Sequence, residues 1–152
     1  MKLADFLQTQ HVAFSVIPHR EAHGSQRLAE TLHVSGHQVA KTVLLRANGD
    51  YMYIVAVLPA DQSIDFQRTA KLLGGSKIEM ATEIEMKQHC PDCEMGVLPP
   101  FGSQYGMKTI VDESLTEDEE IVFESNTHQE AIRMKFNDFR QVEEPLIARI
   151  CA

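Results

Sequence analysis

A lysine stands where a core residue would be expected. Lys41 lies inside Val39-Ala40-Lys41-Thr42-Val43-Leu44-Leu45, an apolar, β-branched run that reads as a buried strand. Strand alternation puts Val39, Lys41, Val43 and Leu45 on one face. An unpaired ammonium is costly to bury. Lys41 therefore either snorkels at the strand end or serves a cleft as an anion-binding or catalytic group.

A second candidate is made of backbone. In Gly96-Val97-Leu98-Pro99-Pro100-Phe101-Gly102 two glycines bracket two prolines and an aromatic residue. Proline fixes φ and removes a donor, and glycine lets the chain approach a ligand closely. The segment cannot be a helix and makes a poor central strand. It reads as a stiff wall that holds backbone groups against something small.

Three further groups are weighed. His89-Cys90-Pro91-Asp92-Cys93 contains a C-x-x-C. No second C-x-x-C or spaced histidine pair completes a zinc site. A redox motif should open a helix after a strand, and this one follows a helix into a loop. Two small residues packed under a loop is the preferred reading. Asp112 follows an apolar strand, which suits either a site carboxylate or a turn and helix cap. His128 falls in a hairpin turn, where a histidine is ordinarily solvated. Ser114, His128 and Asp112 form a triad on paper, yet no G-x-S-x-G elbow supports it. Histidines 11, 19, 23, 33 and 37 show no ligand spacing, and no P-loop or dinucleotide fingerprint is present.

The elements that must position these groups alternate along the chain. Helices are expected at Ala4–Gln10, from an N-cap at Ser25 to His33, at Asp65–Leu73 with Gly74-Gly75 as its stop, and from the capping box Thr82-x-x-Glu85 to His89. Strands are expected at Phe14–Ile17, Val39–Ala47, Tyr51–Leu58, Ser76–Met80, Lys108–Val111, Glu120–Ser125 and Ala131–Phe136. Asn48-Gly49-Asp50 signals a hairpin turn. Asn137 can cap a last helix carrying Phe139 and Val142. Helices mixed with hairpins and crossovers imply one α/β domain, with a mixed parallel/antiparallel sheet covered by helices.

Composition narrows the classes. A chain of 152 residues, 43% hydrophobic, suits one domain over residues 1–152. No apolar run approaches the ~20 residues of a membrane span. Three cysteines and seven methionines fit a reducing, cytoplasmic setting, and the N-terminus lacks a signal-peptide core. Net charge is −8, distributed as +1 over residues 1–76 and −9 over residues 77–152. This acidity argues against DNA or bulk nucleic-acid binding and leaves room for a local basic pocket in the first half.

Four blocks taken together resemble the YbaK/EbsC family, whose fold also occurs as the editing insertion of bacterial prolyl-tRNA synthetases. They are Val39-Ala40-Lys41-Thr42-Val43, Leu72-Leu73-Gly74-Gly75, the stretch from Pro91 to Gly102, and Val111-Asp112-Glu113-Ser114-Leu115. The family's G-x-x-x-P loop maps onto Gly96 and Pro100, and its strand lysine onto Lys41. Its aspartate and histidine match Asp112 and His128. The resemblance implies hydrolysis of the ester between a wrong amino acid and its tRNA, without cofactor or metal. The substrate amino acid would be small, of the alanine, proline or cysteine type. A synthetase is a conceivable partner, and no membrane is involved.

On that reading Lys41, Gly96, Pro100, Asp112 and His128 are the catalytic set. Thr42, Val97, Leu98, Pro99, Phe101 and Gly102 line the substrate. The loop's backbone would clamp the aminoacyl part, and Lys41 would hold the acceptor end across the same pocket. Placement of Lys41 and the loop on opposite faces would defeat that mechanism. A hydroxyl of the terminal ribose would help to activate the water, so a full triad is not required. The chain departs from the family at Ser125-Asn126, where many members are glycine-rich. It also departs from the cysteinyl-specific branch near His19 and Ala131. The alternative is a non-catalytic module of the same fold that binds a tRNA end, a nucleotide or a synthetase.

Overall fold

The computed structural model describes residues 1–47, 52–75 and 77–152. The Asn48-Gly49-Asp50 turn and Ser76 lie outside the described residues.

Strands β1 (Phe14–Pro18), β2 (Ala40–Ala47), β3 (Met52–Pro59), β4 (Ile78–Met80), β5 (Lys108–Asp112), β6 (Glu120–Glu124), β7 (Glu130–Lys135) and β8 (Leu146–Ala148) form two sheets. The larger runs β4-β2-β3-β5-β8, and the smaller runs β1-β7-β6. In the larger sheet β2 pairs antiparallel with β3 and β4, whereas β3–β5 and β5–β8 are parallel. The mixed sheet expected from the sequence is this five-stranded one. The antiparallel β1-β7-β6 sheet is separate from it, and a parallel bridge links Val39 to Val122 between them. β8 was not legible, since three residues after Pro145 are too few to show alternation.

Among the described residues five helices cover the sheets: α1 (Leu3–Thr9), α2 (Ser25–Leu32), α3 (Phe66–Leu72), α4 (Glu83–His89) and α5 (Phe136–Glu143). Local chemistry explains most of their ends. Asp65 caps α3 by accepting the Arg68 N–H at 2.9 Å. Gly74 and Gly75 then stop that helix at φ +84° and +82°, values open to glycine. Thr82 and Glu85 form the expected capping box of α4. Two caps differ from expectation. Gly24 occupies the N-cap of α2, with Ser25 as the first helical residue. α5 begins at Phe136, so Asn137 lies inside it. Short 3-10 turns at Gly102–Tyr105 and Glu113–Glu117 fill segments expected to be loop.

One core joins the sheets. Ala40 and Leu44 of β2, and Val55 and Val57 of β3, pack with Ile121 and Phe123 of β6 and with Val97, Leu98 and Phe101. The opposite face of the larger sheet is a second core, in which Leu45, Ile54, Ala56, Ile110 and Ile150 pack under Ala70 and Leu73. These two faces decide where the candidate residues can meet.

Candidate active site

The 94–102 loop starts at the surface and then enters the core. Met95 is 49% exposed, while Val97, Leu98 and Phe101 are buried. Phe101 is fully buried, with edge-on ring contacts to Phe123 at 5.9 Å and to Phe139 at 5.1 Å. Gly102 donates its N–H to Thr109 Oγ1 at 3.0 Å, and a Cβ there would lie 2.7 Å from the same oxygen. Phe101 and Gly102 therefore anchor the loop. Their expected place along the substrate is corrected by this burial. Val97, Leu98, Pro99 and Pro100 are also buried, so the segment open to a ligand is Glu94–Gly96.

That open segment meets His128. The imidazole Nε2 lies 3.0 Å from the Met95 carbonyl oxygen, and the His128 N–H donates to Glu94 Oε2 at 3.2 Å. Gly96 has φ +84°, and a Cβ built on it would sit 3.9 Å from His128 Nε2. Asn126 ties the β6–β7 turn to the loop, since its carbonyl accepts the Glu94 N–H at 2.8 Å. Lys87 of α4 holds the preceding segment by donating to the Pro91 carbonyl at 3.0 Å. His128 is 6% exposed, unlike the solvated turn histidine that its position suggests.

A cleft opens beside this centre. Two arginines, Arg20 and Arg27, and two glutamates, Glu21 and Glu30, line it with His23, enclosing about 640 Å³ between the segment before α2 and that helix. The His23 ring stacks on His128 with centroids 4.1 Å apart, and the Ala22 N–H donates to the His128 carbonyl at 3.1 Å. His23 thus belongs to both the cleft and the buried imidazole. The spacing of the histidines had given no reason to select it.

Lys41 is elsewhere. Alternation along β2 puts it with Val43 and Leu45, opposite Leu58 of β3, on the face that carries Ile54, Ala56 and Ile150. The loop packs on the other face, with Ala40 and Leu44. The clamp expected between Lys41 and the loop is therefore not formed, and the mechanism built on it fails. The neighbour that shares the loop's face is Thr42, which is half-buried. Burial lowers the Lys41 pKa, and the nearby Cys151 and Asp61 oppose that shift.

Asp112 falls on the Lys41 side. Its Oδ2 accepts the Ser114 N–H at 3.1 Å, and Oδ1 accepts those of Ile150 at 2.9 Å and Cys151 at 3.1 Å. Burial alone would raise this carboxyl, but the Ser114 and Ile150 hydrogen bonds outweigh it and leave the pKa lowered. The Ser114 hydroxyl donates to Asp112, while His128 bonds to the loop, so the paper triad is not assembled. The structure groups Gly96 with His128, and Lys41 with Asp112 through Cys151.

Cys90 and Cys93 are buried and joined as a disulfide, with Cα atoms 5.5 Å apart. They pack under the loop as expected, though bonded rather than as free thiols. With Asp92 they are the three groups, among the described residues, whose ligand atoms gather within 4.8 Å. A closed structural zinc site would need a fourth ligand and both sulfurs reduced. No helix of the described residues is long and apolar enough to cross a membrane.

The two-sheet α/β fold is shared with solved structures of trans-editing type. A solved structure described as a candidate trans-editing enzyme for prolyl-tRNA synthetase superposes with a TM-score of 0.79 at 16% identity, covering 96% of this chain and 92% of that one. The hypothetical protein APE2540 superposes with a TM-score of 0.89 at 14% identity, over 99% of both chains. Residues 19–142 match the aminoacyl-tRNA editing domain, and the chain belongs to that family. Its reaction class is the hydrolytic deacylation of aminoacyl-tRNA. The multifunctional Ser/Thr-tRNA deacylase ProXp-y of Escherichia coli K12 is 25% identical over 147 residues, 95% of this chain and 87% of the relative.

Proposed function

We propose that this protein removes a small amino acid from mischarged tRNA in trans, and that the reaction is centred on Gly96 and His128. The observation that carries the reading is the His128 imidazole, held 3.0 Å from the Met95 carbonyl beside Gly96 and stacked on a cleft histidine. An activated ester needs positioning, a water and stabilisation of the oxyanion more than it needs a strong base. Gly96 lets the backbone approach the aminoacyl carbonyl, and the imidazole stands beside the place where the oxyanion develops. The terminal ribose hydroxyl assists the water, as in the family's proposed mechanism.

Arg20 and Arg27 in the adjoining cleft are assigned to the phosphates of the acceptor end, against the charge of Glu21 and Glu30 on the same lining. Thr42 faces the loop and is assigned to substrate contact. Lys41, on the other face, is assigned to holding the tRNA away from the ester. Pro100 stiffens the loop, and Asp112 supports the chain end rather than the reaction. Editing by size favours alanyl, prolyl or cysteinyl esters, and the Ser/Thr-tRNA deacylase relative adds seryl and threonyl esters. Ester release from a panel of these five aminoacyl-tRNAs, with wild type and with His128→Ala, tests it. Failure to release any of the five rejects the reading.

A further inference from the structure

His128 has a second ring nitrogen that the mechanism above leaves unused. Nε2 faces the Met95 carbonyl at 3.0 Å, and a carbonyl only accepts, so Nε2 carries a hydrogen. Nδ1 faces Glu124 Oε1 at 3.6 Å, and both atoms are buried without another hydrogen-bond partner. A neutral ring with its hydrogen on Nε2 would aim the Nδ1 lone pair at a carboxylate. Two bare acceptors facing each other in a buried site repel, and each is left unsatisfied. One proton between them removes the conflict.

We infer that Glu124 and His128 hold one proton between them, and that it resides on the ring, making His128 a standing imidazolium beside Gly96. Glu124 is then a positioning residue, which keeps the ring charged and aimed at the Met95 carbonyl. Burial raises the Glu124 pKa and so pulls the proton towards the carboxyl, but the Met95 carbonyl, which accepts from Nε2, and the second carboxylate of Glu94 favour the ring. Glu94 accepts the His128 N–H at 3.2 Å, and across Gly96 the Glu83 Oε1 lies 3.3 Å from where a Cβ would stand. The remaining facing group is His23, whose Nε2 is paired with Glu21 at 3.2 Å. Burial pulls the His128 pKa down, yet the Met95 bond and the Glu124 and Glu94 carboxylates outweigh it and raise it overall. The cationic ring stabilises negative charge at Gly96 and does not act as the base that takes a proton from water.

The inference rests on the proposed reaction centre, but its test is separable. Nitrogen-15 NMR of the wild-type ring at pH 7 should show both nitrogens protonated, and Glu124→Gln should lower the pKa of His128 by about one unit or more. In ester release, Glu124→Gln should reduce kcat by about tenfold or more with KM little changed, and Glu124→Asp should recover part of the loss. The alkaline limb of the pH–rate profile should move down with the ring's pKa. A wild-type ring that is neutral at pH 7, or a ring pKa unmoved by Glu124→Gln, overturns the inference whatever the activity. An inactive wild type with a cationic ring rejects the proposed function and upholds the pair. Should Glu124→Gln not fold, the wild-type nitrogen pattern alone decides.

Discussion

The Asp112 carboxylate receives the backbone N–H of Ile150 at 2.9 Å, joining the end of β5 to the end of the chain. The same oxygen takes the next N–H, that of Cys151, while the other oxygen caps the 3-10 turn through Ser114. Asp112→Ala leaves these buried donors without a partner. The expected loss is about 3 kcal/mol of stability, since each hydrogen bond to a charged acceptor contributes ~1.5–3 kcal/mol. Asp112→Asn keeps one acceptor and should lose about half as much. Denaturant unfolding reads both. A variant that loses deacylation at unchanged stability would return Asp112 to the reaction.

The two loop glycines should fail in different ways. A Cβ on Gly102 would meet Thr109 Oγ1 at 2.7 Å, the Met107 carbonyl at 2.9 Å and Val55 Cγ2 at 2.9 Å. Gly102→Ala should therefore overpack the core and cost about 1–3 kcal/mol. At Gly96 the nearest atom is Glu83 Oε1 at 3.3 Å, the end of a side chain that can move. Positive φ makes Gly96→Ala cost about 1 kcal/mol, and its main effect should be on kcat, through displacement of Glu83 and His128. Equal melting shifts with equal activity losses in the two variants would contradict this separation.

The Glu85 carboxyl ties α4 to the larger sheet. It accepts from the Tyr53 hydroxyl and lies 3.3 Å from the Arg46 guanidinium. The Tyr53 bond, followed by the Thr82 cap and the Arg46 charge, lowers its pKa from 4.5 to about 2. The folded value lies below the unfolded one, so this contribution is present above pH 4.5 and is lost as pH falls towards 2. Thermal melts should show wild type above Glu85→Gln at pH 6, with the gap narrowing steadily below pH 4.5. A gap that stays constant down to about pH 2 would show that the carboxylate's charge contributes nothing.

The limits of the sequence are clearest at Lys41. Alternation in Val39–Leu45 correctly put Lys41 with Val43 and Leu45. It could not say which face the loop would cover, because the crossovers that bring residues 97–101 onto Ala40 and Leu44 set that. The elements with local chemistry were readable: the capping box at Thr82, the Asp65 cap, the glycine stop after α3 and the antiparallel β2–β3 pair. His128 was found by resemblance, but its burial was not. It is enclosed by His23 and Met95, which are 105 and 33 positions away, and no local pattern encodes such contacts. The division into two sheets was hidden for the same reason, since it depends on pairings distant in sequence.

Lys41 and Thr42 are adjacent and point to opposite faces, so they should fail differently. Thr42 shares its face with Ala40 and Leu44, against which the loop packs, and Thr42→Val keeps the shape while removing the hydroxyl. If that hydroxyl contacts the aminoacyl group, kcat/KM should fall by about tenfold, or ~1.4 kcal/mol, with stability nearly unchanged. Lys41 can reach only the other side of the sheet, where Asp61 and Cys151 face it. Its removal should weaken the hold on tRNA and leave the ester centre intact. Lys41→Ala should therefore raise KM by about tenfold at nearly constant kcat, and raised salt should reduce the difference from wild type. Single-turnover deacylation over a range of tRNA concentrations separates the two effects. A fall in kcat at constant KM for Lys41→Ala would mean that the ammonium reaches the ester, and the assignment of the two faces would then be wrong.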